Sequence, residues 1–197
     1  MIYLKIFEEF SKNDPIKEAR DGVKTMFVLA GVPGVGKSTF IKNSFYLKDV
    51  KSFSSDDISL LIHKDPNIHD PKSGEWNRKR MITFMKTGQS FIYDTTGAYV
   101  EHILEISKQA MLNDYRLVFI YLVAPLETSL KQNMARDRQA EEDFIRFVYD
   151  NNQLNMKTYY EELKPASMYI VTNIDRKYKY YKYTDNGLMR RKSDIYK

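Results

Sequence analysis

The sequence contains no cysteine, which removes disulfides, thiolate zinc sites and thiol nucleophiles at once. No apolar run reaches the roughly 18 residues that a membrane-spanning helix needs. Met1-Ile2-Tyr3-Leu4-Lys5 lacks the basic start and long apolar stretch of a secretory leader. A soluble, cytoplasmic protein with no membrane partner is the expectation. There is no internal repeat, and no Gly/Ser/Pro-rich linker divides the chain. His63, His69 and His102 show no metal-ligand spacing, and the single tryptophan, Trp76, offers a face for stacking on a base but reads first as a core or capping residue. Glycine is scarce at eight residues, which makes the cluster Gly31, Gly34 and Gly36 the more informative.

What remains is a 197-residue chain with 43% apolar and 29% charged residues, enough to bury one ordinary core without staples. The net charge of +5 is unevenly placed. From Arg176 to Lys197 there are eight basic residues against two acids, a charge of +6, so the preceding body carries about −1. A basic end points to an anionic partner or to a solvated terminus.

Apolar runs bounded by turn signals predict strands at Thr25–Ala30, Ser90–Tyr93, Arg116–Val123 and Met168–Val171, with a shorter one near Lys51–Phe53. Helical spacing lies between them at Lys37–Tyr46, Ile58–Ile62, Glu75–Thr87, Val100–Leu112, Leu126–Ala135 and roughly Glu142–Leu163. Strands alternating with helices predict an α/β fold, a mainly parallel sheet with helices on both faces. Residues 1–24 hold one amphipathic stretch, Ile2 to Phe10, and read as a packed cap. Residues 25–175 form the main domain. Residues 176–197 are a basic, Tyr-rich segment of the same domain.

The first strand runs into Gly31-Val32-Pro33-Gly34-Val35-Gly36-Lys37-Ser38-Thr39, a match to G-x-x-x-x-G-K-[ST] with a strand before it and a helix after. The chemistry explains the pattern. Backbone N–H groups of Gly31, Gly34, Val35 and Gly36 turn inward around phosphate oxygens, and the following helix start adds unpaired donors. Lys37 reaches the β- and γ-phosphates, the Ser38 hydroxyl ligates Mg²⁺, and Thr39 donates to the α-phosphate. ATP with Mg²⁺ is the expected cofactor pair.

Asp94-Thr95-Thr96-Gly97 formally matches the D-x-x-G of GTPases, but no N-K-x-D guanine-reading loop occurs; Asn173-Ile174-Asp175 lacks the lysine. A kinase needs an acceptor base, cations for the transferring group, and a lid against water. Ser54-Ser55-Asp56-Asp57 follows the second strand at the carboxyl edge of the sheet, where α/β ligands bind. Asp56 is assigned as base and Asp57 as cap of the next helix, at the edge of the acceptor site. Arg136 and Arg138, at the end of the helix Leu126–Ala135, supply the lid cations. Asp94, placed after a strand, is a candidate to hold Mg²⁺ through water.

Taken together, strand–GxPGxGKST–helix, Ser55-Asp56-Asp57 after a strand, Asp94-Thr95 after another, and Asn133-Met134-Ala135-Arg136 resemble the phage-type polynucleotide 5′-kinases. These belong to the small P-loop kinases that include zeta-type toxins and nucleotide kinases. The likeness covers about residues 25–165. It implies a P-loop kinase fold with a helical lid, Lys37 and Ser38 on ATP·Mg, Asp56 as general base, Asp94-Thr95 beside the acceptor's phosphate, and Arg136 spanning donor and acceptor phosphates. The arginines flanking the aspartates in that family fall on Ser55 and Ser59 here, and a further lid-side arginine falls on Gln132. Arg78, Lys79 and Arg80 are the candidates for a substitute clamp, against a plain solvated helix face.

The function expected is phosphoryl transfer to a nucleic-acid hydroxyl, first of all a 5′-hydroxyl of DNA or RNA. The alternatives are a hydroxymethylated DNA base, a free nucleoside or nucleotide, and, from another class, a non-catalytic ATP-dependent nucleic-acid binder. In the Lys177–Tyr183 run lysines offer phosphate contacts and tyrosines offer stacking faces; the same alternation also suits a charged edge strand.

Overall fold

The structure is a computed structural model that describes residues 22–44, 46–64, 70, 72–174, 177–184 and 187–190. The expected cap at residues 1–24 therefore lies almost wholly outside the described residues, as does the end of the chain from residue 191. The described strands are β1 (Thr25–Ala30), β2 (Lys51–Phe53), β3 (Phe91–Thr95), β4 (Arg116–Val123), β5 (Ser167–Ile174), β6 (Lys177–Thr184) and β7 (Gly187–Arg190). The helices are α1 (Lys37–Asn43), α2 (Ser55–His63), α3 (Ser73–Met85), α4 (Val100–Leu112), α5 (Leu126–Met134) and α6 (Glu142–Leu163).

One seven-stranded sheet runs in the order β2-β3-β1-β4-β5-β6-β7. β1 to β5 are mutually parallel, and β6 and β7 add an antiparallel meander. β1 lies in the middle with every residue buried, which is why its six positions read as a continuous apolar run and not as an alternation. Its side chains still alternate between faces. Met26, Val28 and Ala30 join a cluster with Met81 and Met85 of α3, Ile103 and Ile106 of α4, and Tyr159 of α6. Phe27 and Leu29 join Phe40 of α1, Val118, Ile120 and Tyr169 on the other side. Both faces are covered, so both clusters contribute at about 25 cal/mol per Å² of apolar area removed from water.

The register positions the chemistry. Leu29 of β1 pairs with Asp94 and Ala30 with Thr95 on β3. The carboxylate at the end of the third strand therefore emerges level with the start of the Gly31–Thr39 loop.

The Lys177–Tyr183 run, expected either as a nucleic-acid contact or as a charged edge strand, is an internal strand of the sheet. β6 is hydrogen-bonded to strands on both sides. Tyr178 stacks edge-on against Phe40 with centroids 5.3 Å apart, Tyr180 lies 6.4 Å from the same ring, and Tyr183 packs on Tyr160 at 4.9 Å. These rings complete the core and are not free stacking faces; Lys179 and Lys182 point to solvent.

Candidate active site

At the carboxyl edge of the parallel strands opens a cleft of about 580 Å³. Gly34, Val35, Gly36, Lys37, Ser38, Thr39, Asp56, Asp57, Asp94, Thr95, Arg136 and Arg138 all line it. Every residue assigned in the sequence to ATP, Mg²⁺, the base, the acceptor or the lid cations is thus brought to one place, apart from Gly31, which acts from behind. The Gly31 carbonyl accepts a 2.8 Å hydrogen bond from Lys37 Nζ.

The loop has this shape because its neighbours leave no room for another. A Cβ on Gly34, whose φ is +82°, would stand 2.2 Å from the Ser129 carbonyl oxygen of α5. Gly36 caps α1 in the left-handed region, and no side chain caps the helix. Its first N–H groups are left for a ligand in the cleft. Asn173, at the end of β5, donates its Nδ2 to the Val35 carbonyl at 2.9 Å and fixes the loop from the other side. Asn173 is the residue dismissed above as a remnant of a guanine-reading motif; it is buried and serves the loop backbone instead.

Lys37 Nζ lies 3.8 Å from Asp94 Oδ1. Burial lowers the pKa of the lysine, Asp94 and Asp56 oppose that, and Arg136 adds to it. Burial pushes Asp94 up to about 6; Lys37 pulls it back, and Asp56 and Asp57 push it further up. Asp56 and Arg136 are therefore close enough to act on both buried charges.

Asp56 and Asp57 stand in the first turn of α2, which starts at Ser55, earlier than the sequence pattern indicated. The cap is Ser54, whose Oγ accepts from the Asp57 N–H at 3.1 Å. The assignment of Asp57 as cap is corrected accordingly: it contributes its backbone, and its carboxylate stays exposed in the cleft. Ser59 is buried and shares a 2.7 Å hydrogen bond with Ser73 of α3. The substitute clamp on α3 does not form either. Arg78 faces Glu105 at 3.8 Å, Lys79 pairs with Glu75 at 2.7 Å, and Arg80 lies over the Phe53 ring at 5.6 Å. None of the three lines the cleft, and Trp76 is exposed outside it.

The segment expected to act as a lid is the loop between α5 and α6, clipped at its base. Asn133 Nδ2 donates to the Ala140 carbonyl at 2.9 Å, and the Ala140 N–H returns a 3.0 Å bond to Asn133 Oδ1. This gives the Asn133 of Asn133-Met134-Ala135-Arg136 a physical role: it sets the loop that presents both arginines. Arg138 Nη1 approaches Asp56 Oδ1 to 2.7 Å as an ion pair.

The loop after β3 is held from α6, a feature no motif announced. Asn155 Nδ2 donates to the Gly97 carbonyl at 2.9 Å, and Tyr159 Oη donates to the same oxygen at 3.1 Å. A Cβ on Gly97, with φ +80°, would lie 2.5 Å from Tyr121 Oη. Polar residues on an amphipathic helix read as its solvent face; here Asn152, Asn155 and Tyr159 are buried.

A parallel sheet with a G-x-x-x-x-G-K-S loop after its central strand, a carboxylate on the adjacent strand and lid arginines over one cleft defines a P-loop phosphotransferase. A family model described as AAA domain (AAA_33) matches residues 26–163, and the chain belongs to that family. It is also similar to an L-seryl-tRNA(Sec) kinase of Methanococcus maripaludis, 30% identical over 132 residues, covering 64% of this chain and 51% of that protein. The chain thus spans about half the length of that relative. Among solved structures, a complex titled AvrRxo1-ORF1:-ORF2 with ATP matches with a TM-score of 0.68 at 14% identity, covering 98% of this chain and 69% of the other. The PezAT toxin–antitoxin system of Streptococcus pneumoniae matches with a TM-score of 0.61 at 15% identity, covering 87% and 78%. These two are likenesses of fold. The family match and the seryl-tRNA(Sec) kinase relative support a kinase of the P-loop type and do not single out the phage polynucleotide kinases. No helix among the described residues is long and apolar enough to cross a membrane.

Proposed function

We propose that this chain is an ATP- and Mg²⁺-dependent kinase that transfers the γ-phosphate to a hydroxyl carried by a nucleic acid. The observation that carries the reading is the meeting of Lys37, Arg136 and Asp56 in one cleft: two cations for a transferring phosphoryl group and a carboxylate for the acceptor's proton.

In this reading the loop N–H groups and Lys37 bind the β- and γ-phosphates, with Lys37 held straight by the Gly31 carbonyl. Asp56 takes the proton of the acceptor hydroxyl as that oxygen attacks the γ-phosphorus in line. The bond to the β,γ-bridging oxygen breaks and ADP leaves with the bonding pair. Lys37 and Arg136 offset the charge spread over the equatorial oxygens. Ser38 and Asp94 fit a Mg²⁺ ion: both offer hard oxygen donors at the cleft, few protein ligands are needed beside phosphate, and Asp94 is a buried acid only partly compensated by Lys37. Held by Ser38 and Asp94, such an ion would supply positive charge against phosphate oxygens.

The acceptor hydroxyl is first a polynucleotide 5′-hydroxyl. A second reading, the hydroxyl of an amino acid esterified to tRNA, is favoured by the seryl-tRNA(Sec) kinase relative and by the burial of Ser59 where polynucleotide kinases carry a phosphate-gripping arginine. The test is transfer of labelled γ-phosphate to 5′-hydroxyl DNA and RNA, duplex DNA with hydroxymethylated bases, seryl-tRNA and free nucleosides. Label on a nucleic acid supports the reading and selects the acceptor. Label on free nucleosides alone, or on none of them, overturns it.

A further inference from the structure

Both Arg136 and Arg138 read in the sequence as lid cations, but they face different partners. Arg136 acts electrostatically on Lys37 and Asp94, the donor side of the cleft. Arg138 instead reaches Asp56, with Nη1 2.7 Å from Oδ1 and its side chain 22% exposed. No aligned hydrogen bond engages Nη1, so the contact is an ion pair that presses one carboxylate oxygen from the lid side. Nothing basic on α2 itself shares this task. The position one turn after Ser55 is Ser59, turned away into the Ser59–Ser73 contact between α2 and α3.

We infer that Arg138 is a positioning residue for Asp56 and not a ligand of the nucleotide. By holding Oδ1 it leaves Oδ2 directed at the acceptor hydroxyl, since an ionised carboxylate has an oxygen to spare once one is engaged. In the transfer step the acceptor O–H bond breaks toward Oδ2, the new O–P bond forms, the bond from γ-phosphorus to the bridging oxygen breaks, and ADP carries off that pair. Arg138 exchanges no proton. Because Arg138 belongs to the loop clipped by Asn133 and Ala140, a correctly aimed base exists only while the lid lies over α2. Water reaching an open site then meets ATP without an oriented base, which restrains idle hydrolysis. The assignment rests on the kinase reading above, with Asp56 as base.

A double-mutant cycle tests it. Arg138→Ala is expected to lower kcat about 10- to 100-fold, within the usual range for an impaired base, with the Kd for ATP unchanged within about threefold and Arg138→Lys restoring part of the loss. In the Asp56→Asn background Arg138→Ala costs nothing more, because its effect passes through Asp56. Additive losses, or a tenfold or greater weakening of ATP binding by Arg138→Ala, would overturn the proposal and return Arg138 to the nucleotide. Hydrogen exchange of residues 135–141 gives a readout that needs no turnover. Arg138→Ala and Asp56→Asn should each raise exchange there, and together no further. If wild type transfers phosphate to no acceptor yet this non-additivity holds, the kinase reading fails while the lid contact stands; if exchange is unmoved by either change, the contact itself fails.

Discussion

Lys37 and Asp94 face each other across 3.8 Å with side chains only 14% and 17% exposed. Neither gains from the other what it lost in leaving water, for burial is the first cause of the shift on each: the lysine down, the acid up to about 6. On the kinase reading proposed above, a metal–triphosphate complex bears both signs and can compensate both charges.

The raised Asp94 gives a pH signature whose sign can be worked out. Between about pH 4 and 6 the folded protein keeps a proton that the unfolded chain has released. Its contribution to ligand-free stability therefore declines as pH rises through that window and is flat above it. A Mg²⁺ ion needs the charged form. The Mg²⁺-dependent part of the thermal shift produced by ATP should be full above about pH 6 and fade below it, and Asp94→Asn should fade less, keeping only the part that protonation of the terminal phosphate of ATP causes. Thermal denaturation with ATP, with and without Mg²⁺, measures both; a wild-type Mg²⁺ increment that does not change with pH would remove Asp94 from the metal site.

Adjacent acids in the first turn of α2 are distinguishable by kinetics. Asp56→Asn should cost about 10²- to 10⁴-fold in kcat with ATP binding retained, the scale of a lost general base. Asp57→Asn should cost much less, because the cap depends on the Asp57 N–H and the Ser54 hydroxyl, which the substitution leaves alone. Steady-state kinetics with saturating ATP decides, and the reverse ranking would move the base to Asp57.

Asn173→Ala removes the only side-chain donor given to the Val35 carbonyl among the described residues. A buried acceptor left unpaired costs about 1–3 kcal/mol, and here the loosened segment is the phosphate loop. The variant should melt lower and bind ATP several-fold more weakly, with kcat at saturating ATP little changed. Isothermal titration beside a melting curve separates the two effects; unchanged ATP affinity would mean that the loop is held well enough without Asn173.

How much of this could be read from residues alone follows from how local each signal is. The Gly31–Thr39 loop, β1, α4 and β4 were legible because a strict spacing or an unbroken apolar run determines them without reference to the rest of the chain. The start of α2 was missed by three residues because Ser55, Asp56 and Asp57 carry no apolar stripe; what starts the helix is the Ser54 cap. Nothing in the sequence marks Asn155 and Tyr159 as buried anchors. Their partners are carbonyls some sixty residues away in sequence, a pairing only the packed fold creates. The tail was ambiguous for the same reason, since alternating Lys and Tyr says nothing of what lies under the rings.

The support from α6 predicts a selective defect. Asn155→Ala leaves the Gly97 carbonyl with Tyr159 alone and the Ala98 carbonyl without its longer, 3.4 Å contact. Thr95 and Thr96, on the loop so loosened, line the cleft. The acceptor KM should rise several-fold while the Kd for ATP stays within about twofold, apart from a stability loss of about 1–3 kcal/mol. A matching loss for ATP would show that the loop serves the nucleotide.

The basic end of the chain separates two roles that deletion would confuse. Removing residues 176–197 strips β6 from the sheet and uncovers Phe40, which Tyr178 and Tyr180 cover. Each aromatic pair is worth about 0.5–1.5 kcal/mol beyond its buried area, so the truncated protein should melt well below the full chain whatever it binds. Lys179→Ala and Lys182→Ala leave those rings alone, because both side chains point to solvent. If the strand also tracks a phosphate backbone, the double lysine variant should keep its melting temperature. It should bind an oligonucleotide more weakly, with the slope of log Kd against log salt reduced by up to about two, near one for each phosphate that a lysine neutralised. An unchanged slope would reduce both lysines to charges that keep a sheet margin soluble, and nucleic-acid binding would then have to come from the cleft.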